Sequence, residues 1–219
     1  MKIVAFVDCH GHTENYKKVF HAIESADLVL LGGDLTNFGK EREARRVVEP
    51  IQERAKRVLA VSGNCDHREV DEYLSEIGIN LHGRAAVVDN LLFVGLGGSL
   101  PCPGTTPNEY TEEQIESTLS AAVSGVDLNR PLILLSHQPP FNTAIDRIHD
   151  GRHVGSQAVR AFVAKHNPLL CISGHIHEAH GVDTVGNTKL VNPAPFMMHS
   201  YVFCEVTDSV HVLEMRQVK

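Results

Sequence analysis

Five short apolar runs each end at side chains that can bind a metal ion, and this pattern constrains the fold more than any other feature. The runs cover residues 3–7, 28–31, 58–61, 132–135 and 169–172. Continuous runs of Leu and β-branched residues of this length are typical of strands that are buried on both faces. Ligands of open α/β sheets gather at the carboxyl ends of such strands. We therefore expect the five ends to meet at one edge of one sheet.

The residues that follow the runs are of the types that hold divalent metals. They are Asp8, His10, Asp34, Asn64, His137, His175 and His177. Each motif alone has a plain structural reading, because Gly-Asp and Gly-Asn pairs form turns and a histidine after an apolar run can belong to the core. Their joint occurrence favours a site for two metal ions. The ligand atoms are N and O without thiolate, which suits Mn²⁺, Fe or Zn²⁺. We favour two Mn²⁺ ions and keep Fe, Zn²⁺ and Ni²⁺ as alternatives.

The composition is that of a globular domain. The chain has 219 residues, of which 42% are hydrophobic, and we assign residues 1–219 to a single domain. The net charge of −7 argues against a nucleic-acid polymer or a membrane surface as partner. No apolar run has the length of a membrane span, and the N-terminal one is too short for a secretory signal. The five cysteines lack C-x-x-C spacing, which indicates reduced thiols and a cytoplasmic protein.

Helical patterns alternate with the apolar runs through the first two-thirds of the chain. We predict helices over residues 14–23, 40–57, 67–77, 111–124 and 156–166. Thr13 is the expected N-cap of the first helix, Pro50 should kink or split the second, and Thr111 opens a capping box. The C-terminal part instead has strand patterns at residues 188–191, 201–206 and 210–215. These strands would pair antiparallel at the sheet margin or form a second sheet, and they could pair across a homodimer.

The motifs, taken in order, resemble those of the calcineurin-like metallophosphoesterases, in the small Icc-related branch of predicted phosphoesterases. The family blocks Asp-x-His, Gly-Asp, Gly-Asn-His-Asp/Glu, Gly-His and Gly-His-x-His follow one another here from Asp8 to His177. The resemblance implies an α/β sandwich of two mixed β-sheets flanked by α-helices. It also implies the ligand sets, which are Asp8, His10 and His177 for one ion, Asn64, His137 and His175 for the other, and Asp34 as the bridge.

The reaction that this resemblance implies is hydrolysis of a phosphoester. Two ions lower the pKa of a bridging water, and the resulting hydroxide attacks phosphorus in line. Phosphoprotein phosphatases carry arginines beside the second and third blocks, whereas residues 35–37 and 60–62 contain none here. We therefore expect a small phosphodiester as substrate, cyclic or small nucleotides included. A phosphomonoesterase with the same metals and a non-catalytic interaction module on this fold are the alternatives.

The third block departs from the family, because Cys65 stands where a histidine is thought to help protonate the leaving group. A thiol can donate a proton or a hydrogen bond, but it is not an imidazolium. His67 could supply the proton instead, or could be only a solvated residue at a helix start. We include Asn64, Cys65, Asp66 and His67 among the catalytic candidates, with Asp66 expected to orient a neighbour.

Contacts to the rest of the substrate are expected from two places. Asn37 follows the second block and either contacts the substrate or shapes the turn. The long loop 146–155 offers Arg147, His149, Arg152 and His153. Long loops of compact domains are often functional, and a mobile solvated loop is the alternative.

Overall fold

The computed structural model, which describes residues 1–218, is a four-layered sandwich of helices, sheet, sheet and helices. The strands are β1 (Lys2–Phe6), β2 (Leu28–Gly32), β3 (Val58–Val61), β4 (Ala85–Val88), β5 (Leu91–Leu96), β6 (Leu132–Ser136), β7 (Leu170–Ile172), β8 (Gly181–Val185), β9 (Thr188–Asn192), β10 (Ser200–Val206) and β11 (Val210–Gln217). The α-helices are α1 (Tyr16–Ser25), α2 (Glu41–Gln52), α3 (Arg68–Glu76), α4 (Glu112–Ala122) and α5 (Gln157–His166). Short 3-10 turns lie at Ala144–Asp146 and Phe196–Met198.

Both sheets are mixed. The first has the order β11-β10-β1-β2-β3, in which β1, β2 and β3 are parallel and β10 is antiparallel to both of its neighbours. The second has the order β4-β5-β6-β7-β9-β8, with a parallel centre and an antiparallel strand at each margin. The two-sheet α/β sandwich implied by the family resemblance is confirmed.

Strand β1 shows why the apolar runs are continuous. Ile3, Ala5 and Val7 face the core between the two sheets, while Val4 and Phe6 face the core under α1 and α2. Because successive side chains of a strand point to opposite faces, a strand that is covered on both sides needs apolar residues at every position.

The expectation of one sheet edge was wrong. The first three apolar runs form β1, β2 and β3 of the five-stranded sheet, whereas the last two form β6 and β7 of the six-stranded sheet. Apolar side chains of both sheets share one core, so the carboxyl ends of both strand sets reach the same edge of the sandwich. A continuous apolar run indicates that a strand is buried on both faces, but it does not indicate which sheet the strand joins.

Helix starts were predicted with mixed success. The capping box of α4 is confirmed, because Gln114 N–H donates to Thr111 Oγ1 (3.3 Å) and Thr111 N–H donates to Gln114 Oε1 (2.8 Å). The predicted N-cap of α1 was wrong, since Asn15 and not Thr13 holds that position. Helix α2 ends at Gln52 and not at residue 57, with Pro50 in its last turn. Proline cannot donate to the preceding turn, so a helix end close to it is expected.

Strands β4, β5 and β8 were not anticipated. Strand β5 is an apolar run without a metal-binding residue after it, and it pairs with β6. A Cβ on Gly95 would lie 2.6 Å from the carbonyl oxygen of Leu81, so the glycine allows the chain to pass close by.

The three C-terminal strand segments were predicted correctly, but they divide between the sheets. Strand β9 joins the six-stranded sheet, and β10 and β11 form a hairpin whose connection includes Asp208 and Ser209. Strand β11 is an edge strand, and pairing of such strands across a homodimer stays a prediction. Across residues 1–218, the helices are too short or too polar to cross a membrane.

Candidate metal centre

Four of the candidate ligands lie on backbone with positive φ. The φ angles are 51° at Asp8, 47° at His10, 45° at Asp34 and 66° at His175. Such angles are uncommon outside glycine and are maintained only where the surroundings enforce them. The loops after β1 and β2 stabilise each other's backbone conformation. Asp8 N–H donates to the Gly33 carbonyl (3.0 Å), and His10 N–H donates to the Asp34 carbonyl (2.8 Å). The turns after β1 and β2 therefore place their ligands together.

One group of ligand atoms forms where Asp8, His10 and His177 meet. The Nε2 atoms of His10 and His177 lie 3.2 Å apart, and His177 Nε2 lies 3.7 Å from Asp8 Oδ1. At most one proton fits between two imidazole nitrogens at this distance. Lone pairs that converge in this way, next to a carboxylate, suit a cation.

A second group contains Asp34, His137 and His175, with Asn64 beside it. His137 Nδ1 lies 2.9 Å from the carbonyl oxygen of Gly32, which can only accept, so Nδ1 carries the proton. His137 Nε2 is then unprotonated and carries a lone pair. This atom lies 3.0 Å from Asn64 Oδ1 and 3.5 Å from Asp34 Oδ1. Three acceptors that face one another suit a cation, as the first group does.

Asp34 lies between the two groups. One carboxylate oxygen is 3.6 Å from His10 Nε2, and the other is 3.5 Å from His137 Nε2. Glycines make this approach possible, since a Cβ on Gly63 would overlap the Asp34 carboxylate and a Cβ on Gly33 would overlap the His137 ring. The glycines before Asp34 and Asn64 therefore admit neighbouring ligands rather than only shaping turns.

The protonation states of the ligands follow from their surroundings. Burial and the nearby His137 lower the pKa of His175 to about 3, so this imidazole is neutral. Burial alone would lower the pKa of His177, but the hydrogen bond and the charge of Asp8, with the charge of Asp34, raise it. Burial alone would raise the pKa of Asp8, but His177, His137 and His10 together lower it.

Asp66 fixes the turns that carry the second and third blocks. Its buried carboxylate accepts from Leu35 N–H (3.0 Å), from Thr36 N–H and Oγ1–H (2.8 and 2.7 Å) and from Gly63 N–H (2.8 Å). Burial and the charge of Asp34 raise the pKa of Asp66, whereas these donors stabilise its ionised form. Asp66 thus contacts the loops on which Asp34 and Asn64 stand.

A cavity of about 500 Å³ opens at both groups, and five candidate ligands are among the residues that line it: His10, Asp34, Asn64, His175 and His177. A larger and more open cavity, of about 680 Å³, lies beside α3, and no candidate ligand lines it. Since five candidate ligands line the more enclosed cavity, we take this cavity as the candidate substrate site.

The two candidate proton donors lie in different places. Cys65 lines the cavity, and its backbone N–H donates to Asp34 Oδ1 (2.8 Å). Burial and the charge of Asp34 raise the pKa of the Cys65 thiol far above its usual range, so it is protonated. His67 is the N-cap of α3, where its backbone N–H donates to the Gly39 carbonyl (3.2 Å), and it does not line the cavity.

Among the expected substrate contacts, Arg152 lines the cavity. Its Nε and Nη2 atoms lie 2.8 and 2.7 Å from Asp150 Oδ2. Asn37 and Arg147 are exposed and outside the lining.

The two remaining candidates of the loop make other contacts. His149 pairs with Glu178 (2.7 Å), and His153 pairs with the buried Asp146 (2.7 Å). Neither histidine lines the cavity. Asp146 also accepts from Thr143 N–H (2.8 Å) and Gly155 N–H (2.9 Å), so it ties this loop together.

Sequence reasoning missed three residues around the site. Asn108 donates to Ser62 Oγ and to the Gly63 carbonyl, both at 3.0 Å, which supports the loop of Asn64. Cys102 Sγ lies 3.6 Å from His175 Nε2. Gln138 is fully buried and bridges two loops. The only signal for Asn108 and Cys102 was their position in a long loop, because long-range contacts leave no local pattern.

The model of the calcineurin-like phosphoesterase family matches residues 1–179, which contain all seven candidate ligands. The chain belongs to the calcineurin-like phosphoesterase family. Membership gives the reaction class as hydrolysis of phosphoesters with divalent metals, and the ligand groups described above provide candidate metal-binding residues.

Similar proteins extend over the whole chain. An uncharacterized protein of Methanocaldococcus jannaschii is 37% identical, with 98% of this chain and 96% of the relative covered. The solved structure of TT1561 of Thermus thermophilus is 22% identical with a TM-score of 0.77, and the match covers 100% of this chain and 99% of that chain. The phosphopantetheinyl hydrolase of Mycobacterium tuberculosis has a TM-score of 0.63 at 15% identity, with 88% of both chains covered. At these identities the solved structures show a shared fold.

Proposed function

We propose that this calcineurin-like phosphoesterase hydrolyses small phosphodiesters and uses two divalent metal ions, with manganese favoured. The observation that carries the proposal is the position of Asp34, whose two carboxylate oxygens face His10 in one ligand group and His137 in the other. The proposed ligands are Asp8, His10 and His177 for one ion, Asn64, His137 and His175 for the other, and Asp34 for both.

The buried carboxylates support this assignment. Asp8 and Asp34 are almost fully buried, at 0% and 2% exposed, and neither makes an ion pair with Lys or Arg within residues 1–218. Buried charges require compensation. When bound, two divalent ions would supply it, and they would activate water and neutralise phosphoryl oxygens.

Other contacts in the site support roles for the protein's own residues. His137 presents its unprotonated Nε2, because Nδ1–H donates to Gly32. The backbone N–H of His175 donates to Asp8, at 3.1 Å from Oδ1 and 3.2 Å from Oδ2. This contact fixes the Asp8 carboxylate beside the loop that carries His175. Cys65 presents a neutral thiol to the cavity as a hydrogen-bond donor, and Asp66 positions the loops beneath it.

The charge of the cavity favours a diester over a monoester. Among the described residues that line it, Arg152 is the one Lys or Arg, and it is already paired with Asp150. A monoester dianion has more charge to neutralise than a diester monoanion, and phosphate-binding sites commonly use Arg for this purpose. We therefore propose that diesters are preferred, with Arg152 at the rim of the substrate site.

One domain and a cytoplasmic location complete the proposal. The core between the sheets takes side chains from Ile3 to Val206, which supports a single folding unit. All five cysteines are free, which is typical of a reducing compartment.

The test is hydrolysis of bis(p-nitrophenyl) phosphate and p-nitrophenyl phosphate by chelated protein, before and after Mn²⁺ is added. We expect turnover only with Mn²⁺, and diester turnover at least about tenfold above monoester turnover. A preference for the monoester would identify a phosphomonoesterase with the same site. Protein that binds two Mn²⁺ but hydrolyses neither compound would favour the non-catalytic alternative.

A further inference from the structure

The cavity above the candidate metal centre has two kinds of lining residue. Besides the polar candidate ligands, a set of apolar residues lines it. We call this set the apolar wall, and it consists of Leu100, Pro101, Pro103, Ile148, Val154 and Ile176. Apolar surface in a cavity that also holds a charged site is typical of pockets that bind a ligand with one polar and one apolar end.

Gln138 holds the apolar wall together. Its side chain is fully buried, accepts from Leu100 N–H (3.0 Å) and donates to the Val154 carbonyl (3.0 Å). Its own carbonyl accepts from Ser136 Oγ–H (2.6 Å), at the end of β6. The loops that carry Leu100 and Val154 are therefore linked to each other through one residue next to the metal ligand His137.

The second loop of the wall is also fixed from within. Ile148 N–H donates to the Arg152 carbonyl (2.9 Å), and Val154 N–H donates to the Asp146 carbonyl (3.0 Å). The buried Asp146 side chain binds His153 in the same loop. A wall built in this way exists before a substrate arrives, so binding to it costs little ordering of the loops.

We propose that the apolar wall binds the alcohol part of the phosphoester, and that this part is an apolar group of the size of an aromatic ring. The inference rests on the proposed function, because the phosphoryl group must lie at the candidate ligands for the alcohol to reach the wall. Pro101 and Pro103 line the cavity, and because proline has a rigid ring, packing against it costs little side-chain freedom. The volume of about 500 Å³ holds one phosphoryl group and one such ring.

The test compares two non-hydrolysable probes that share one head group. Phenylphosphonate and methylphosphonate are titrated into Mn²⁺-loaded protein, and their affinities are measured by calorimetry. Burial of a phenyl ring on the apolar wall should make phenylphosphonate bind at least about tenfold more tightly than methylphosphonate.

Variants of the apolar wall test whether the difference in affinity between the two phosphonates arises there. Ile148→Asn and Val154→Asn place an amide on the wall at two partly buried positions. Each should reduce the phenyl preference to less than about threefold, while methylphosphonate affinity stays unchanged. Leu128→Asn changes a residue that is 45% exposed and outside the cavity, so this control should retain the full preference.

Equal binding of the two probes by the unaltered protein would overturn the apolar wall as a substrate site and would leave the proposed function standing. An undiminished phenyl preference in both wall variants, with thermal melts like that of the unaltered protein, would also overturn it. Failure of both phosphonates to bind, in protein that binds Mn²⁺ and hydrolyses bis(p-nitrophenyl) phosphate, would overturn the apolar wall as a site beside the phosphoryl group. The same failure without diester turnover would contradict the proposed function.

Discussion

The Nε2 atoms of His10 and His177 lie 3.2 Å apart, although 167 positions separate the two residues in the chain. His10 follows β1 of one sheet, and His177 follows β7 of the other. The contact therefore depends on the packing of the two sheets, and it places two imidazole lone pairs where a cation would relieve their repulsion.

Replacement of His177 by alanine should remove one ion and most of the activity. We expect His177→Ala to bind about one Mn²⁺ fewer per chain and to lose diester turnover by at least about 100-fold, because one cation position loses an essential ligand. Metal analysis and the chromogenic assay measure the two effects. His21→Ala alters an exposed residue of α1 and serves as the control. Wild-type turnover in a folded His177→Ala protein would contradict the ligand assignment.

The two ion positions should respond differently to pH. Asp8 and Asp34 raise the pKa of His177, so a proton competes with metal there as the pH falls, whereas His175, with a pKa of about 3, holds no competing proton. Between about pH 8 and about pH 6, affinity at the Asp8, His10 and His177 group should fall more steeply. Mn²⁺ calorimetry at several pH values resolves the two events, and parallel weakening of both would contradict this account.

Asp66 should stabilise the fold as well as the site. Asp66→Asn turns an oxygen acceptor into an N–H₂ group that faces donors from Leu35, Thr36 and Gly63. We expect a loss of about 3 kcal/mol in the free energy of unfolding, together with weaker metal binding. Urea unfolding of chelated protein gives the first quantity. A change below about 0.5 kcal/mol would show that the carboxylate does not hold the two loops.

The candidate ligands at the strand ends were predictable because each depends on a local pattern. Burial on both faces makes residues 3–7 and 28–31 continuously apolar, and a candidate ligand, Asp8 or Asp34, lies two residues after the end of each strand. The contacts of Gln138 were not predictable, because its partners Leu100 and Val154 are 38 and 16 residues away. The pattern also could not assign the strands to two sheets, since that division depends on packing between distant segments.

Cys65 gives a test of how the leaving group is protonated. Its thiol is a weak acid because burial and Asp34 raise its pKa, so Cys65→His should place a better proton donor in the cavity. Turnover of a 2′,3′-cyclic nucleotide, with a basic leaving group, should rise by about tenfold, and turnover of bis(p-nitrophenyl) phosphate should change little. Chromatography of products measures the first. Cys65→Ala is the matched control, and an equal gain in both variants would show that size, not proton donation, is responsible.

The proposed centre consists of two ions that act together through Asp34. The direct measurement is a stepwise titration of chelated protein with Mn²⁺, followed by electron paramagnetic resonance and by hydrolysis of bis(p-nitrophenyl) phosphate. We predict that diester turnover appears as the second equivalent binds, together with a spectrum of two coupled Mn²⁺ ions. Full turnover at one equivalent, or two ions without magnetic coupling, would contradict a dinuclear centre bridged by Asp34.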